Sequence, residues 1–402
     1  MRGGAVPAEP SLPRVVTALG IAQIVSWGTL FYTIAVLGPP MRAELGVGEV
    51  WLFGSFTAGL AVSGLLSPAV GRAIDARGGR RVLAAGSMLG AMASAALALA
   101  QGPLSVLGGW LLAGVAMSAA LYDPAFATLH QVAGPAYRRA VTALTLFGGF
   151  ASTVFWPVSQ WLSDAVGWRV AFATYAILHL VVCLPLHLVA VPRSPMRERA
   201  APTPDAGASP AVPRSGSAFV WLAAALALAS FLGSALSAHL IGLLTESGLS
   251  LGDAVLVGAC VGPMQVAGRI MEFAFLRRLT ALAVGTLAFG VLGAAMLLFT
   301  QVHGVLLLAL AFAVPYGWSN GVMTIVRGTV PEAIFGAHGY GALLGRLARP
   351  QFAARAGAPL ALALVLAVDG ARELAPWLLA AVAGCALFAY RRALAAATPP
   401  SA

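Results

Sequence analysis

Long apolar runs alternate with short polar breaks along almost the whole chain. Each run is long enough for a helix that crosses a bilayer, which needs about 20 mostly apolar residues. The pattern therefore predicts an all-α polytopic membrane protein with twelve transmembrane helices. The predicted spans lie near 15–40, 49–71, 82–101, 104–128, 140–162, 170–191, 218–244, 254–276, 279–300, 305–326, 340–368 and 374–390.

One polar break, residues 192–217, is much longer than the others. It contains six prolines together with Ser, Gly and Arg, a composition typical of a flexible linker. It predicts two six-helix bundles joined by a cytoplasmic linker. The predicted parts are an N-terminal tail over 1–14, bundles over 15–191 and 218–390, the linker, and a C-terminal tail over 391–402.

Composition agrees with this pattern and excludes several classes of protein. The 402 residues are 59% hydrophobic and only 9% charged, whereas a soluble chain is about a quarter charged. All 24 basic residues are arginine, which excludes a Walker A phosphate loop and a lysine Schiff base. Cys183, Cys260 and Cys385 are scattered singly, so we expect small buried side chains, with no metal site and no cofactor.

The net charge of +10 does not predict nucleic-acid binding here. If the N-terminus is cytoplasmic, twenty arginines fall in cytoplasmic segments, Arg42, Arg169 and Arg372 fall outside, and Arg355 is assigned to neither side. Cytoplasmic loops of membrane proteins carry such an excess of arginine and lysine. The bias predicts that both termini are cytoplasmic and that the arginines lie near lipid headgroups. The lysine-free, Ala- and Gly-rich usage points to a bacterial inner membrane.

The two predicted halves share a charged pattern. Gly71-Arg72, Asp75 and Arg80-Arg81 recur 197 residues later as Gly268-Arg269, Glu272 and Arg277-Arg278. Each copy follows the second span of its half. Such repeats are typical of transporters whose substrate site lies between two halves near the midplane.

The segment GRAIDARGGRRVL, residues 71–83, resembles the loop 2–3 signature of the major facilitator superfamily. Gly71, Asp75, Gly78 and Arg80 match; Ala76 departs from the signature, with the base displaced to Arg77. The resemblance implies a two-bundle secondary transporter with a cytoplasmic gate closed by ion pairs. The alternative is that these arginines only anchor the topology. The gate candidates are Gly71, Asp75, Arg77, Gly78, Arg80, Arg81, Gly268, Arg269, Glu272, Arg277 and Arg278.

The same resemblance implies that the first, fourth, seventh and tenth spans line the cargo cavity. Residues 315–321 interrupt an apolar helix with Pro, Gly and polar side chains, a feature tolerated at membrane depth where a helix lines a cavity. For Trp27 and Trp318 the alternative is packing against lipid or other helices, and for His239 the alternative is a position at the membrane interface. The cavity candidates are Gln23, Trp27, Phe31, Tyr122, His239, Tyr316, Trp318 and Asn320.

Asp123 lies inside the fourth apolar run. Ionisable groups inside a bilayer are costly and mark functional sites. We therefore interpret Asp123 as a proton-coupling carboxylate. The alternative is an interfacial acid that pairs with Arg138, Arg139 or Arg72.

The sub-family stays open. Only Pro157 remains of the fifth-span antiporter signature. The segment from Phe31-Tyr32 to Gly46 resembles relatives of monocarboxylate transporters. Residues 121–126 together with 149–153 resemble bacterial metalloid and drug exporters. Arg327 and Arg355 are the arginines that could lie at the middle of a span. Because a multiply charged anion would need a fixed positive partner there, the scarcity of such arginines favours a neutral, cationic or amphipathic cargo.

The predicted function is proton-coupled efflux of a small solute by a monomeric transporter that is not an enzyme. The alternative on the same fold is monocarboxylate uptake by symport. From other classes, a non-transporting sensor remains, as does a hydrolase built on the G-x-S-x-G match at Gly248–Gly252. Ser250 and Asp253 fit a helix capping box better than a catalytic site.

Overall fold

The computed structural model describes residues 11–193, 216–274, 278–336 and 340–397. Every regular element in these ranges is helical. The predicted linker between 194 and 215, the tail residues 1–10 and 398–402, and Arg277 lie outside the described residues. The helices are α1 Leu12–Trp27, a π-helical segment Gly28–Tyr32, α2 Ile34–Leu45, α3 Glu49–Arg77, α4 Gly79–Ala98, α5 Pro103–Ala120, α6 Tyr122–Ala133, a 3₁₀ turn Gly134–Ala136, α7 Tyr137–Gly149, α8 Ala151–Leu178, a second π-helical segment His179–Cys183, α9 Leu184–Ala190, α10 Ser217–Glu246, α11 Leu251–Ala274, α12 Ala281–Phe299, α13 Leu306–Phe335, α14 Tyr340–Leu366 and α15 Ala371–Ala397.

Ten helical segments of the described chain are long and apolar enough to cross a membrane. The longest, Arg139–Ala190, has 52 residues and would extend about 78 Å as a straight helix, against a hydrocarbon core of about 30 Å. Gly167 interrupts it with φ 82° and ψ 161°, which are not helical angles. Next to this break, the Arg169 guanidinium donates hydrogen bonds to the carbonyls of Ala98 and Ala100 at the end of α4.

The chain divides into two compact units. The first comprises residues 1–31, 58–151 and 162–200, and the second comprises 32–57, 152–161 and 201–402. The segments 32–57 and 152–161 thus group with the C-terminal helices, although they precede the predicted linker. The predicted division of the chain at that linker stays a prediction.

Glycines bring the helices of the first unit into backbone contact. A Cβ added to Gly114 of α5 would lie 2.0 Å from the carbonyl oxygen of Gly59 on α3, and one added to Gly86 of α4 would lie 2.5 Å from the carbonyl oxygen of Ala119. Small residues allow such close approach of helices in membranes. An apolar core that includes Leu19, Leu83, Leu129 and Leu144 joins α1, α4, α6 and α7.

In the second unit the same device joins α11 and α13. A Cβ on Gly321 would lie 2.1 Å from the carbonyl oxygen of Gln265, and one on Gly268 would lie 2.5 Å from that of Trp318. Gly268, a gate candidate, therefore has a packing role in this contact.

Candidate functional site

The fourth predicted span is broken in its middle. α5 ends at Ala120, Leu121 is extended with φ −85° and ψ −157°, and α6 begins at Tyr122. Pro124 has no N–H, so it leaves the carbonyl of Ala120, four residues earlier, without its helical donor. The side-chain amide of Gln23 on α1 donates to that carbonyl at 2.8 Å and to the carbonyl of Leu121 at 3.3 Å. Gln23 therefore satisfies the backbone at the break.

Four aromatic rings surround this break and form what we call the aromatic cluster: Trp27, Phe31, Tyr122 and Phe126. The ring of Trp27 lies 5.1 Å from those of Phe31 and Tyr122, and Tyr122 stacks on Phe126 at 5.2 Å. The indole N–H of Trp27 donates to the Gln23 side-chain oxygen at 3.1 Å. Four of the eight cavity candidates thus come together in the first unit.

Two residues at the aromatic cluster, Phe126 and Gly148, are not marked by any feature of the sequence. Phe126 follows Tyr122 by four residues and shares its helix face. Gly148 of α7 leaves room for the Tyr122 hydroxyl, because a Cβ added there would lie 2.0 Å from that oxygen. Its position shows why a glycine is required opposite the break.

Asp123 lies in the first turn of α6, directly after the break, and its side chain is exposed. A carboxylate is favourable at a helix N-terminus. Within the described residues it forms no ion pair with Arg72 or Arg139; the side chain of Arg138 lies outside the description. Proton coupling by Asp123 and pairing at the interface both stay predictions.

In the second unit, Tyr316 and Asn320 occupy one face of α13. The Tyr316 ring is buried and stacks on Phe312 with 5.3 Å between ring centroids. Asn320 faces α10, where a Cβ on Gly233 would lie 3.6 Å from its side-chain oxygen. Trp318 is two residues, and hence about 200°, away around the helix. Its indole N–H lies 3.3 Å from the sulfur of Met271 on α11, so it does not join the other two.

Two arginines of the second unit interact electrostatically. The charge of Arg355 on α14 acts on Arg327 of α13 and on the Tyr32 hydroxyl. Among the described residues, the buried Nε of Arg327 has no hydrogen-bond partner. Two like charges near each other in a low-dielectric interior repel one another, so this region would favour an anion.

His239 on α10 is buried, and its Nε2 lies 2.9 Å from the carbonyl oxygen of Pro359 on α14. Pro359 interrupts α14 and frees the carbonyl of Arg355, which accepts a hydrogen bond from Ser234 of α10 at 2.7 Å. The His239 ring also lies 3.8 Å from that of Phe53 on α3. His239 therefore helps to join α10 to α14 at Pro359.

A cavity of about 520 Å³ lies beside His239 and is lined by residues of α2, α3, α10 and α15. Four alternating charges line it and form what we call the four-charge chain: Arg42, Glu49, Arg372 and Glu246. Arg42 lies 2.9 Å and Arg372 3.1 Å from the same Glu49 oxygen, and Arg372 also pairs with Glu246. The chain joins segments 323 residues apart, so no local sequence pattern predicts it.

At the other end of α3, the predicted gate loop is fastened to α6. Gly78 has φ 80° and ends the helix, and Gln131 bonds both sides of it, accepting from the Gly79 N–H at 3.2 Å and donating to the Ile74 carbonyl at 3.0 Å. Gln131 was not predicted. Within the described residues, Asp75 forms no ion pair with Arg80 or Arg81. The remaining gate candidates of this loop, Gly71 and Arg77, lie at the end of α3.

The second copy of the pattern lies at the end of α11. An Arg269 Nη lies 3.5 Å from the Thr324 hydroxyl on α13. Glu272 is half-buried on α11, and Arg278 is exposed after it. Its gating role stays a prediction.

Ser250, the central residue of the G-x-S-x-G match, caps α11. Its hydroxyl donates to a carboxylate oxygen of Asp253 at 2.7 Å and accepts from the Asp253 N–H at 3.1 Å. The bond from the Asp253 N–H is the N-cap half of a capping box, and the two bonds give the serine a structural role.

Comparisons with known proteins agree on one family. The family model for the Major Facilitator Superfamily matches residues 19–348. No curated protein matches the sequence significantly. Solved structures with the same fold include the nucleoside transporter NupG, with a TM-score of 0.74, 13% identity, and 96% of this chain and 99% of that chain covered. They also include a bacterial homologue of the human lysosomal transporter Spinster, inward-facing and occupied, with a TM-score of 0.66, 14% identity, and coverage of 98% and 96%. At these identities the likeness shows the fold alone.

Proposed function

This chain belongs to the Major Facilitator Superfamily, and from that premise we propose that it exports a small solute by proton-coupled alternating access. The observation that carries the proposal is the broken fourth span with its aromatic cluster. The Gln23 side chain on α1 is hydrogen-bonded to the backbone at the break, and Asp123 lies directly after the break on α6. The proposal includes a monomer in a bacterial inner membrane.

We propose twelve spans with both termini cytoplasmic. Ten candidate segments are long enough, and one of them, Arg139–Ala190, is interrupted at Gly167 and has the length of two. The 27-residue helix Tyr340–Leu366 would supply another span. The arginine bias of the loops supports the orientation.

The aromatic cluster suits a solute with a planar or partly apolar surface. Aromatic rings offer large contact areas, and indole and phenol groups add hydrogen bonds. Asp123, exposed beside the cluster, would attract a cation or hold a proton. We therefore propose a neutral or cationic amphipathic cargo, with the Asp123 carboxylate linking cargo and proton.

The four-charge chain supports alternating access. It links the α2–α3 turn to α10 and α15, and so joins the first half of the sequence to the second at the end of α3 away from Gly78. At the Gly78 end, Asp75 forms no ion pair with Arg80 or Arg81 in the part of the chain that the structure describes. We propose that the four-charge chain opens when the Asp75 latch forms, so that the two ends of α3 open alternately.

A second candidate, uptake of a monocarboxylate with protons, is favoured by a specific observation. The neighbouring charges of Arg327 and Arg355 would bind a carboxylate, as guanidinium groups do. In this case Asp123→Asn would leave substrate binding intact, and loss of Arg327 would abolish it.

The proposal is tested with purified protein in proteoliposomes under an imposed pH gradient. The solutes would be amphipathic cations, nucleosides and monocarboxylates, compared with empty liposomes. We expect a cation to be driven by the gradient, and Asp123→Asn to retain counterflow but lose the gradient-driven component. Monocarboxylate flux that needs Arg327 would establish the second candidate. Counterflow of none of these classes would contradict transport of such solutes.

A further inference from the structure

A seam of buried polar side chains runs through the first unit, and the proposed transport cycle leaves it unused. His179, Cys183 and His187 are spaced by four residues on the second π-helical segment and α9, and all three are fully buried. Helices α1 and α4 pack against them. We define the seam as the side chains of His179, Cys183 and His187 together with the buried hydroxyl groups of Ser26, Thr29, Ser87 and Ser94.

The hydrogen bonds of His179 define its protonation state. The Thr29 hydroxyl donates to the Val25 carbonyl at 2.8 Å, so its one hydrogen is used. It therefore accepts from His179 Nε2, which lies 2.9 Å away. His179 is then neutral with its proton on Nε2, and its buried Nδ1 lone pair has no partner among the described residues.

His187 is arranged in the same way through its other nitrogen. The Ser87 hydroxyl donates to the Leu83 carbonyl at 3.2 Å and therefore accepts from His187 Nδ1 at 2.8 Å. The buried Nε2 of His187 has no partner among the described residues. The seam thus holds two imidazoles, each with one ring nitrogen that has no partner among the described residues.

Unsatisfied buried polar atoms are rare because each costs about 1–3 kcal/mol. The Ser94 hydroxyl oxygen is also buried without a partner in the described chain, whereas the Ser26 hydroxyl bonds to Cys183. A Cβ added to Gly90 of α4 would lie 2.8 Å from His179 Nδ1, so this ring faces α4, one turn from Ser94. The seam therefore has two ring nitrogens and one hydroxyl without a partner among the described residues.

The seam also joins the only two π-helical segments of the described chain, Gly28–Tyr32 and His179–Cys183. The bond between Thr29 and His179 connects them. Such segments are rare and frequently occur at functional sites. Because Gly28–Tyr32 follows Trp27 directly and contains Phe31, a change at His179 would reach the aromatic cluster.

Few ionisable groups face the two rings. On their own element the other titratable group is Cys183, whose sulfur lies 4.0 Å from the Ala22 carbonyl oxygen. At this level α1 presents Ser26, the first π-helical segment presents Thr29, and α4 presents Ser87 and Ser94. Their charged side chains, among the described residues, are Arg14 in the first turn of α1 and Arg80 and Arg81 in the first turn of α4.

We propose that His179 and His187 form a buried proton-binding site of the first unit. A proton taken up by either free lone pair makes that ring a cation with a second N–H, and the Ser94 hydroxyl oxygen or a water molecule would accept its hydrogen bond. Pro185, Leu186 and Val189, which flank His187 in sequence, line a groove with Arg14 and Thr17. The link from this site to solute transport rests on the proposed function, whereas proton binding itself does not.

The first experiment follows the histidines of ¹⁵N-histidine-labelled protein in nanodiscs between about pH 5 and pH 9. We expect neutral rings at high pH, protonated on Nε2 in His179 and on Nδ1 in His187, and a change to the cationic form at one ring before the other as the pH falls, because two nearby like charges repel each other. His179→Gln and His187→Asn each keep the donor nitrogen and assign the signals. Rings that stay neutral over the whole range, or the opposite tautomers, would overturn the proposal.

The second experiment measures transport by the same variants, with His303→Gln as the matched control because His303 is exposed in a loop. We expect His179→Gln and His187→Asn to keep counterflow and to lose gradient-driven accumulation at least tenfold. Normal accumulation in both would overturn the role in coupling. If no solute is transported at all, the proposed function fails while the titration still decides on proton binding.

Discussion

Replacing Glu49 by Gln should open the cavity beside the four-charge chain. Glu49 accepts from both Arg42 and Arg372, so the substitution removes two ion pairs and leaves two guanidinium groups near each other. The Glu49 side chain is 13% exposed and that of Arg372 is 48% exposed. We therefore assign about 1 kcal/mol to the pair with Arg42 and about 0.5 kcal/mol to the more exposed pair. Together they correspond to about a tenfold change in the ratio of closed to open molecules.

The assay is the rate at which a membrane-impermeant maleimide labels a cysteine in this cavity. Thr245 lines the cavity, and Thr245→Cys would be made in a variant without the three natural cysteines. Glu373→Gln is the matched control, since Glu373 is an exposed acid next to Arg372 that pairs with no described arginine. We expect about tenfold faster labelling with Glu49→Gln and no change with the control.

A double-mutant cycle separates contact from general charge. If the pair of Glu49 with Arg372 holds the cavity closed, adding Arg372→Gln to Glu49→Gln should accelerate labelling by less than the product of the single effects. Equal labelling rates for Glu49→Gln and Glu373→Gln, or fully additive effects in the cycle, would refute the reasoning.

Three further predictions concern the first unit. Gly148→Ala should displace the Tyr122 ring and reduce solute affinity at least tenfold in a binding titration, while Gly293→Ala, which meets nothing within 4 Å, should leave it unchanged. Gln23→Leu should lower thermal stability by about 1–3 kcal/mol, since a buried carbonyl at the break loses its donor; an unchanged melting curve would contradict that account. Asp75→Asn should insert normally into membranes but transport more slowly, and wild-type flux in this variant would argue against a latch.

The length of the apolar runs made the helices predictable. The breaks inside those helices could not be predicted from the neighbouring residues in sequence. The apolar run 218–244 corresponds to α10, Ser217–Glu246, because hydrophobic length directly determines a span. The run 104–128 reads as one span, yet the chain breaks it at Leu121. Pro124 permits that break, but Gln23, nearly a hundred residues away, is what satisfies it, and no local pattern reports such a partner.

The proximity of candidate residues was predictable where helix order alone brings them together. Gln23 and Trp27 lie one turn apart on α1, and the Trp27 ring contacts Tyr122; that these residues line a cargo cavity stays a prediction. Trp318 was grouped with Tyr316 by proximity in sequence, whereas the helical repeat turns it toward α11 and Met271. The prediction could not resolve this, because it treated the run 315–321 as one surface.

Helix α3 has a consequence for how a change at one surface of the membrane is felt at the other. It is a single helix of 29 residues, about 43 Å long, that begins at Glu49 in the four-charge chain and ends beside Gly78. Coupling between two such ends is reciprocal. Any ligand or lipid that strengthens the hydrogen bonds of Gln131 to the Gly78 turn, and thereby shifts the ratio of open to closed molecules beside Glu49, should therefore bind the Glu49→Gln variant with an altered affinity. Pro68 lies inside this helix, and bending at this proline would weaken the coupling between the two ends.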